Sequence, residues 1–531
     1  MTLPPGISSK TFSLAVREFE RIVGREWVFS SEEDLSLYRD AYSPLWNERT
    51  EPIPPVAVAP AEVEQVRAVV KAANSFRIPL WTISTGKNLG YGGSAPAAPG
   101  TGVLDLKRMN RILEVDDKNH YALVEPGVSY FDLYHYIQEN KLKVWIDPPD
   151  PGWGSPVGNT LDRGLGRTRM RDHVASMCGM EVVLANGDLI RTGMGALPNS
   201  KTWQQFKYGY GPYVDGIFTQ SNYGVVTKLG FWLYPEPEAY LVGRVRVPKR
   251  DDVTALVEMM SYLANSEVAQ GPLYLSSPLY APGPPDPVLA AIRSKPGGAT
   301  LADLDTYAQQ KGGFWSTDLP IYGAREVVAA KWEVAQRKLL EIPGAIVEKV
   351  RSYEFPLSAA ELANIENPVE IGVPSLTIFT ATWAATIGKG HLFIAPVIPM
   401  NGPAVIESMD VIRGSMEEIG FRDYAIVPAA TLHERCFIIL VIFATFKEPE
   451  RNQKVREALR RMAQVTAEHG WGEYRAHTAF MSDIADSYSF NNHALRRLHE
   501  TIKDALDPNG ILSPGKAGIR PKNVRPAVPK I

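Results

Sequence analysis

Ten residues, Ser84-Thr85-Gly86-Lys87-Asn88-Leu89-Gly90-Tyr91-Gly92-Gly93, hold the densest chemistry in the chain. Four glycines within eight positions let the backbone turn tightly and approach a bound group closely. Successive N–H groups in such a turn form a concave nest that attracts phosphate. Lys87 adds a cation and Tyr91 a lone aromatic ring. A phosphate-bearing cofactor is the first expectation, although a Gly-rich hairpin turn fits the loop equally well when it is taken alone. The order is not G-x-x-x-x-G-K-S/T, because Lys87 follows the first glycine of the run. Nor is it G-x-G-x-x-G opening a helix, since Tyr91-Gly92-Gly93-Ser94-Ala95-Pro96 is no helix start. Phosphates would be held by loop amides and not by a helix end.

The loop must be carried by the apolar, strand-like run Ile78-Pro79-Leu80-Trp81-Thr82-Ile83. Before it, residues 11–26 read as an amphipathic helix ending near Gly24, 54–60 as a strand bounded by prolines, and 61–76 as a second helix. After it, 102–106 and 121–127 read as strands and 130–139 as a helix. Val174 to Leu184 and Leu189 to Thr192 read as a hairpin with a two-residue Asn186-Gly187 turn. Pro235-Glu236-Pro237 reads as a linker. Beyond it come a strand (240–247), a helix (253–264), a Pro/Gly-rich loop (271–299), a helix (325–340), strands at 345–347, 391–396 and 435–445, and a helix (451–469). The tail 507–516 is another turn-rich, lysine-ended loop.

Composition excludes several classes. The chain has 531 residues, enough for two to four domains, with 45% hydrophobic and 22% charged residues. A net charge of −3 implies no general attraction to nucleic acid or acidic membranes. No apolar run reaches the roughly 18 residues of a membrane-spanning helix, and the N-terminus lacks a secretory pattern. A cytoplasmic location is therefore expected. The two cysteines, Cys178 and Cys436, read as buried small hydrophobes in a reducing compartment. The nine histidines show no zinc-site spacing.

Separated segments then fit one pattern. They are the 84–93 loop; Asp147 to Gly164; Arg191 to Pro198; Phe218 to Lys228; Trp471-Gly472-Glu473-Tyr474-Arg475-Ala476-His477; and Asp507 to Lys516. In this ordered set the chain resembles the vanillyl-alcohol oxidase and para-cresol methylhydroxylase family of flavoproteins, on the side of the bacterial eugenol and 4-alkylphenol oxidases. The resemblance covers nearly the whole length. It implies an α+β, two-domain protein. Residues 1–236 and 471–531 would form an FAD-binding domain of two α/β lobes, and 237–470 a cap with an antiparallel sheet covered by helices.

The resemblance also implies roles. Tyr91, Tyr474 and Arg475 match the residues that hold a phenolate oxygen, and Asp150 matches the aspartate near flavin N5. A free phenol has a pKa near ~10, so ionising it at neutral pH needs cationic or donor partners. On a regular strand Tyr474 and Arg475 would point to opposite faces, so the backbone there must be irregular. Taken alone, the pair reads as an ordinary surface strand, and Asp150 as a turn aspartate between prolines; Asp147 competes with it. His391 matches the histidine that bonds covalently to the flavin in many members, against the alternative of a satisfied core histidine. Ser84 to Gly90, Pro149, Gly154, Ser155, Gly158, Asn159, Gly224, Val226 and Lys516 are the expected FAD contacts. Arg167, Phe393, Val427 and Ala429 are the expected substrate pocket. Arg475 and Lys516 could both face the flavin N1–C2=O edge.

Two departures stand out. Arg167-Thr168-Arg169-Met170-Arg171 replaces aromatic and turn-forming residues of relatives. Its plainer reading is a loop of solvated charges; the sharper one is an arginine lining the pocket and favouring a polar or carboxylate tail. Ala429-Ala430 replaces bulkier apolar residues, which would enlarge the cap pocket. The expected activity is oxidation of para-substituted phenols, with O₂ reoxidising the flavin. The rivals are a hydroxylating dehydrogenase with a cytochrome partner and a flavin-binding protein without turnover. A homodimer or larger homo-oligomer is expected from the family, with no nucleic acid or membrane partner.

Overall fold

The computed structural model describes residues 2–280, 286–295, 299–381 and 390–525. Near-continuous apolar runs become strands buried on both faces. Gly102–Asp105 and Leu80–Ile83 pair in parallel in a four-stranded sheet, with Ala57–Val58 and Val28–Phe29 beyond them. The helices Ser9–Val23 and Val63–Phe76 cover it, the first closing at Gly24. A second, antiparallel sheet runs in the order Ile112–Asp116, Tyr121–Val124, Val225–Trp232, Met177–Val183, Leu189–Arg191. These two sheets flank the glycine loop.

From Ala239 onward the chain builds two more antiparallel sheets. In one, Ala239–Val247 lies between Trp315–Gly323 and Ile346–Glu354. In the other, Tyr274–Leu275, Tyr424–His433, Cys436–Thr445 and Gly390–Ile394 follow in order, and Val397–Pro399 also pairs with Cys436–Thr445. The helices Val253–Asn265, Gly402–Glu418 and Pro449–Glu468 share one large apolar core with them. The chain then returns. Leu80 donates its N–H to Ile511 O at 2.8 Å, and fully buried Lys503 bonds Asp507, Asn222 O and Leu512 O. The fold is therefore α+β with two domains. No helix among the described residues is long and apolar enough to cross a membrane.

Several local expectations need correction. Val174 begins no strand: His173–Ser176 is a helical turn, because the Asp172 carboxylate caps it by accepting from Val174 N and Ala175 N. The Pro/Gly-rich segment 271–299 is not all loop. It contains the strand Tyr274–Leu275 and the helix Pro287–Arg293, capped by Asp286; positions 281–285 and 296–298 of that segment lie outside the described residues. The strand expected at 345–347 runs on to Glu354. Cys178 is buried, but Cys436 is only partly so, since it sits at the turn of the 424–445 hairpin.

Candidate active site

A cavity of about 890 Å³ runs between the two domains. The glycine loop forms one wall. Gly86, Gly90, Gly92 and Gly93 all have positive φ, which side-chain-bearing residues resist. Opposite stands the short helix Pro156–Leu161, capped by Ser155. The two walls approach so closely that a Cβ on Gly158 would lie 2.3 Å from Ser84 Oγ. Ser84 to Leu89, Pro149, Gly154, Ser155, Gly158 and Asn159 all line the cavity, as do Gly224, Val226 and Lys516. Gly90 sits just behind, where a Cβ would press within 3.1 Å of the His391 and Phe393 rings.

A hydrogen-bonded chain ties the loop, the short helix and the returning tail together. Arg475 donates to Asn88 Oδ1 at 2.7 Å, Asn88 Nδ2 donates to Asp162 at 3.1 Å, and Asp162 pairs with Lys516. The Asp162 carboxyl is held below its ordinary value: burial pushes it up, but Lys516 and Arg475 outweigh that.

Arg475 also lies over the Tyr91 ring, 4.1 Å from its centroid. Tyr474 lines the same cavity and stands close enough to act electrostatically on both Tyr91 and Arg475. The backbone there is irregular, held by a bridge between Glu473 and Pro396 and by Gln220 Nε2 donating to Tyr474 O at 2.8 Å. That irregularity lets adjacent Tyr474 and Arg475 face one cavity. Burial drives the Tyr91 hydroxyl well above its ordinary pKa, so it stays a donor.

Asp150 lines the same cavity. Burial raises its carboxyl above the ordinary value, and Arg167, 3.6 Å away, partly offsets this. Asp147 is engaged elsewhere: Thr168 N donates to it at 2.7 Å and His173 Nε2 stands 3.3 Å off. The solvated reading of the arginine run fails at Arg167, which donates to the Tyr274 hydroxyl and lines the cavity, and at Arg171, which reaches Glu434; Arg169 reaches Tyr234 but its side chain stays 38% exposed.

His391 is 7% exposed, and its Nδ1 has no hydrogen-bond partner. Burial pushes its pKa down to about 4, so the imidazole is neutral. It packs against Phe393 and, at 5.0 Å between ring centroids, Tyr42, a neighbour that sequence distance hid. Phe393 and Val427 line the cavity, but Ala429 does not. A bulge between Val427 and Ala430 shifts the register, so Ala429 enters the apolar core and Ala430 faces the cavity. Tyr274, Ser276, Ser316 and Arg246 also line it. Their signal was absent from the sequence, because the segment around Tyr274 reads as a Pro-rich loop.

The cavity fits a dinucleotide flavin: a backbone nest for a diphosphate, close glycine walls, and one buried ring nitrogen without a partner. Residues 54–193 match the FAD binding domain family, and 434–517 match the C-terminal domain of FAD linked oxidases. The chain is 35% identical over 526 residues, 97% of each sequence, to the 4-cresol dehydrogenase (hydroxylating) flavoprotein subunit of Pseudomonas putida. It superposes on p-cresol methylhydroxylase with substrate bound at a TM-score of 0.86, with 33% identity, covering 98% of this chain and 99% of that one. For the 4-ethylphenol oxidase of Gulosibacter chungangensis in complex with isoeugenol the TM-score is 0.84, with 35% identity, covering 99% and 100%. Fold and site together define an FAD-dependent oxidoreductase. The chain belongs to the vanillyl-alcohol oxidase and para-cresol methylhydroxylase family of flavoproteins.

Proposed function

We propose that the protein oxidises para-substituted phenols (4-alkylphenols, 4-allylphenols, 4-hydroxybenzylic alcohols) at the benzylic carbon. The observation carrying this reading is the meeting of one guanidinium and two phenol hydroxyls in a cavity that also holds the partly buried carboxyl of Asp150. The substrate oxygen binds as phenolate among Tyr91, Tyr474 and Arg475. Arg475 supplies the charge, and the tyrosines supply charge-assisted hydrogen bonds. Bound FAD supplies the two-electron acceptor for the hydride that the electron-rich para carbon releases. The substrate becomes a para-quinone methide, electrophilic at that carbon. Asp150, as carboxylate, takes a proton from the water that adds there.

The neutral, partnerless Nδ1 of His391 supports covalent attachment of the flavin at that ring. Residues 1–236 and 471–531 would hold FAD, and 237–470 would close over it. Electrons pass on to O₂, giving hydrogen peroxide. The likeness to a dehydrogenase flavoprotein subunit favours a second reading, in which a cytochrome takes them.

Anaerobic mixing with 4-ethylphenol should bleach the yellow protein within the time of a turnover. Acid-precipitated protein should stay yellow. Stoichiometric peroxide in air distinguishes O₂ from a cytochrome as acceptor. A protein that 4-alkylphenols leave oxidised would end the phenol reading.

A further inference from the structure

Beyond Asp150 the cavity continues into the cap. Among the described residues, the polar lining of this arm includes Arg167, Arg246, Tyr274, Ser276, Ser277, Lys311 and Ser316. Three are cations and four carry hydroxyls; Asp150 stands at its inner end, beside Arg167. Sheet register explains the grouping. Arg246 lies directly opposite Ser316, and Ser316 forms a two-way backbone bridge with Ser276. Directly opposed residues share a face of the sheet, so all three side chains turn the same way.

The carboxylates that balance the outer cations stand outside the arm. Arg246 pairs with Glu348 at 2.7 Å, and Lys311 with Asp286 at 2.8 Å. The Glu348 side chain is 44% exposed, and such open pairs hold weakly. A buried anion in the arm competes with them. An alkyl tail, by contrast, would strip water from guanidinium and ammonium groups and return nothing. The adjoining smaller cavity, about 390 Å³, shares Asp150, Arg167, Arg246, Tyr274, Ser276 and Ser316 with the arm; its own carboxylates, Asp318 and Glu370, are engaged by Arg244 and Arg351.

We propose that this arm receives a para tail ending in a carboxylate, with Arg246 selecting it and Ser316 and Arg167 adding hydrogen bonds. The inference rests on the phenol-oxidising reading and names the substrate class within it. Reduction of the flavin by 4-ethylphenol, measured first, tests that reading separately.

The matched pair is 4-butylphenol and 4-(4-hydroxyphenyl)butanoate. The acid should show the higher kcat/KM. Arg246→Met should lower the acid's kcat/KM about tenfold or more and keep or raise that of 4-butylphenol, whose tail no longer desolvates a guanidinium; Ser316→Ala should lower the acid's value to a smaller degree. The retained alkylphenol rate also shows that each variant is folded. Equal kcat/KM for the pair in the unaltered enzyme, or equal losses on both substrates in Arg246→Met, would overturn the arm's assignment while the phenol chemistry stands.

Discussion

The guanidinium of Arg475 stacks on the ring of Tyr91 at 4.1 Å and donates to Asn88 three residues before it. Two functions meet in that contact. The same arginine braces the glycine loop and presents positive charge where a phenolate would bind. Arg475→Met should therefore lower kcat/KM for 4-ethylphenol by about 10²-fold or more. The residual rate should climb with pH toward the phenol's own pKa near ~10, because bulk base must then do what the guanidinium did. A loss that is flat across pH 7 to ~10 would mean Arg475 only supports the loop.

Asp150 and Arg167 give a second test. In the proposed role of base Asp150 must be ionised, so activity should fall as pH drops through its pKa. Burial raises that pKa above the ordinary carboxylate value, and Arg167 pulls it back. The acid limb of kcat should thus lie above the usual carboxylate range near ~4. Arg167→Met removes the cation and should move the limb to higher pH, with Arg167→Lys in between. A limb that stays put in Arg167→Met would detach Arg167 from Asp150.

How far such relationships could be read from the chain depends on what each residue type demands of its surroundings. Positive φ at Gly86 and Gly90 is a need that glycine announces, so the nest was legible. The hairpin at Asn186-Gly187 was legible too, but not as a two-residue turn: Leu184 N still donates to Asp188 O around three residues, and of the pair only Gly187 has positive φ. Arginine announces nothing: Arg167 and an exposed arginine have the same local sequence look, and only the approach of Tyr274 from a distant segment separates them. Strand parity also failed where a bulge intervened. Period-two reasoning cannot choose between Ala429 and Ala430 without knowing where the extra residue sits.

That choice has a measurable consequence. Ala430 faces the cavity beside Tyr274 and Tyr474, whereas Ala429 is wholly buried in the cap core. Ala430→Val should lower kcat/KM for a dimethoxy-substituted 4-alkylphenol about tenfold relative to the unsubstituted one, since pocket methyl groups discriminate by roughly 1–3 kcal/mol. Ala429→Ile should leave that ratio alone. It should instead cost about 1–3 kcal/mol of stability through overpacking, seen as a lower Tm.

Glu473 links the segment bearing Tyr474 and Arg475 to folding stability. Its two carboxyl oxygens accept from Ala395 N at 2.6 Å and Arg475 N at 3.2 Å, which pins the segment bearing Tyr474 and Arg475. Burial nonetheless raises its pKa from 4.5 to about 8. Between those values the folded protein holds a proton that the unfolded chain has lost. The protonated group's contribution is complete below pH 4.5 and is lost as pH rises through about 8. The full swing is at most roughly 5 kcal/mol at 1.36 kcal/mol per unit. Glu473→Gln cannot ionise, so its Tm should vary less between pH 5 and 8 than that of the parent enzyme. It loses one backbone acceptor, which lowers Tm at acidic pH, where the parent carboxyl is neutral as well. Parallel Tm–pH curves for the two proteins would show that Glu473 is already ionised in the folded state, held so by those backbone donors.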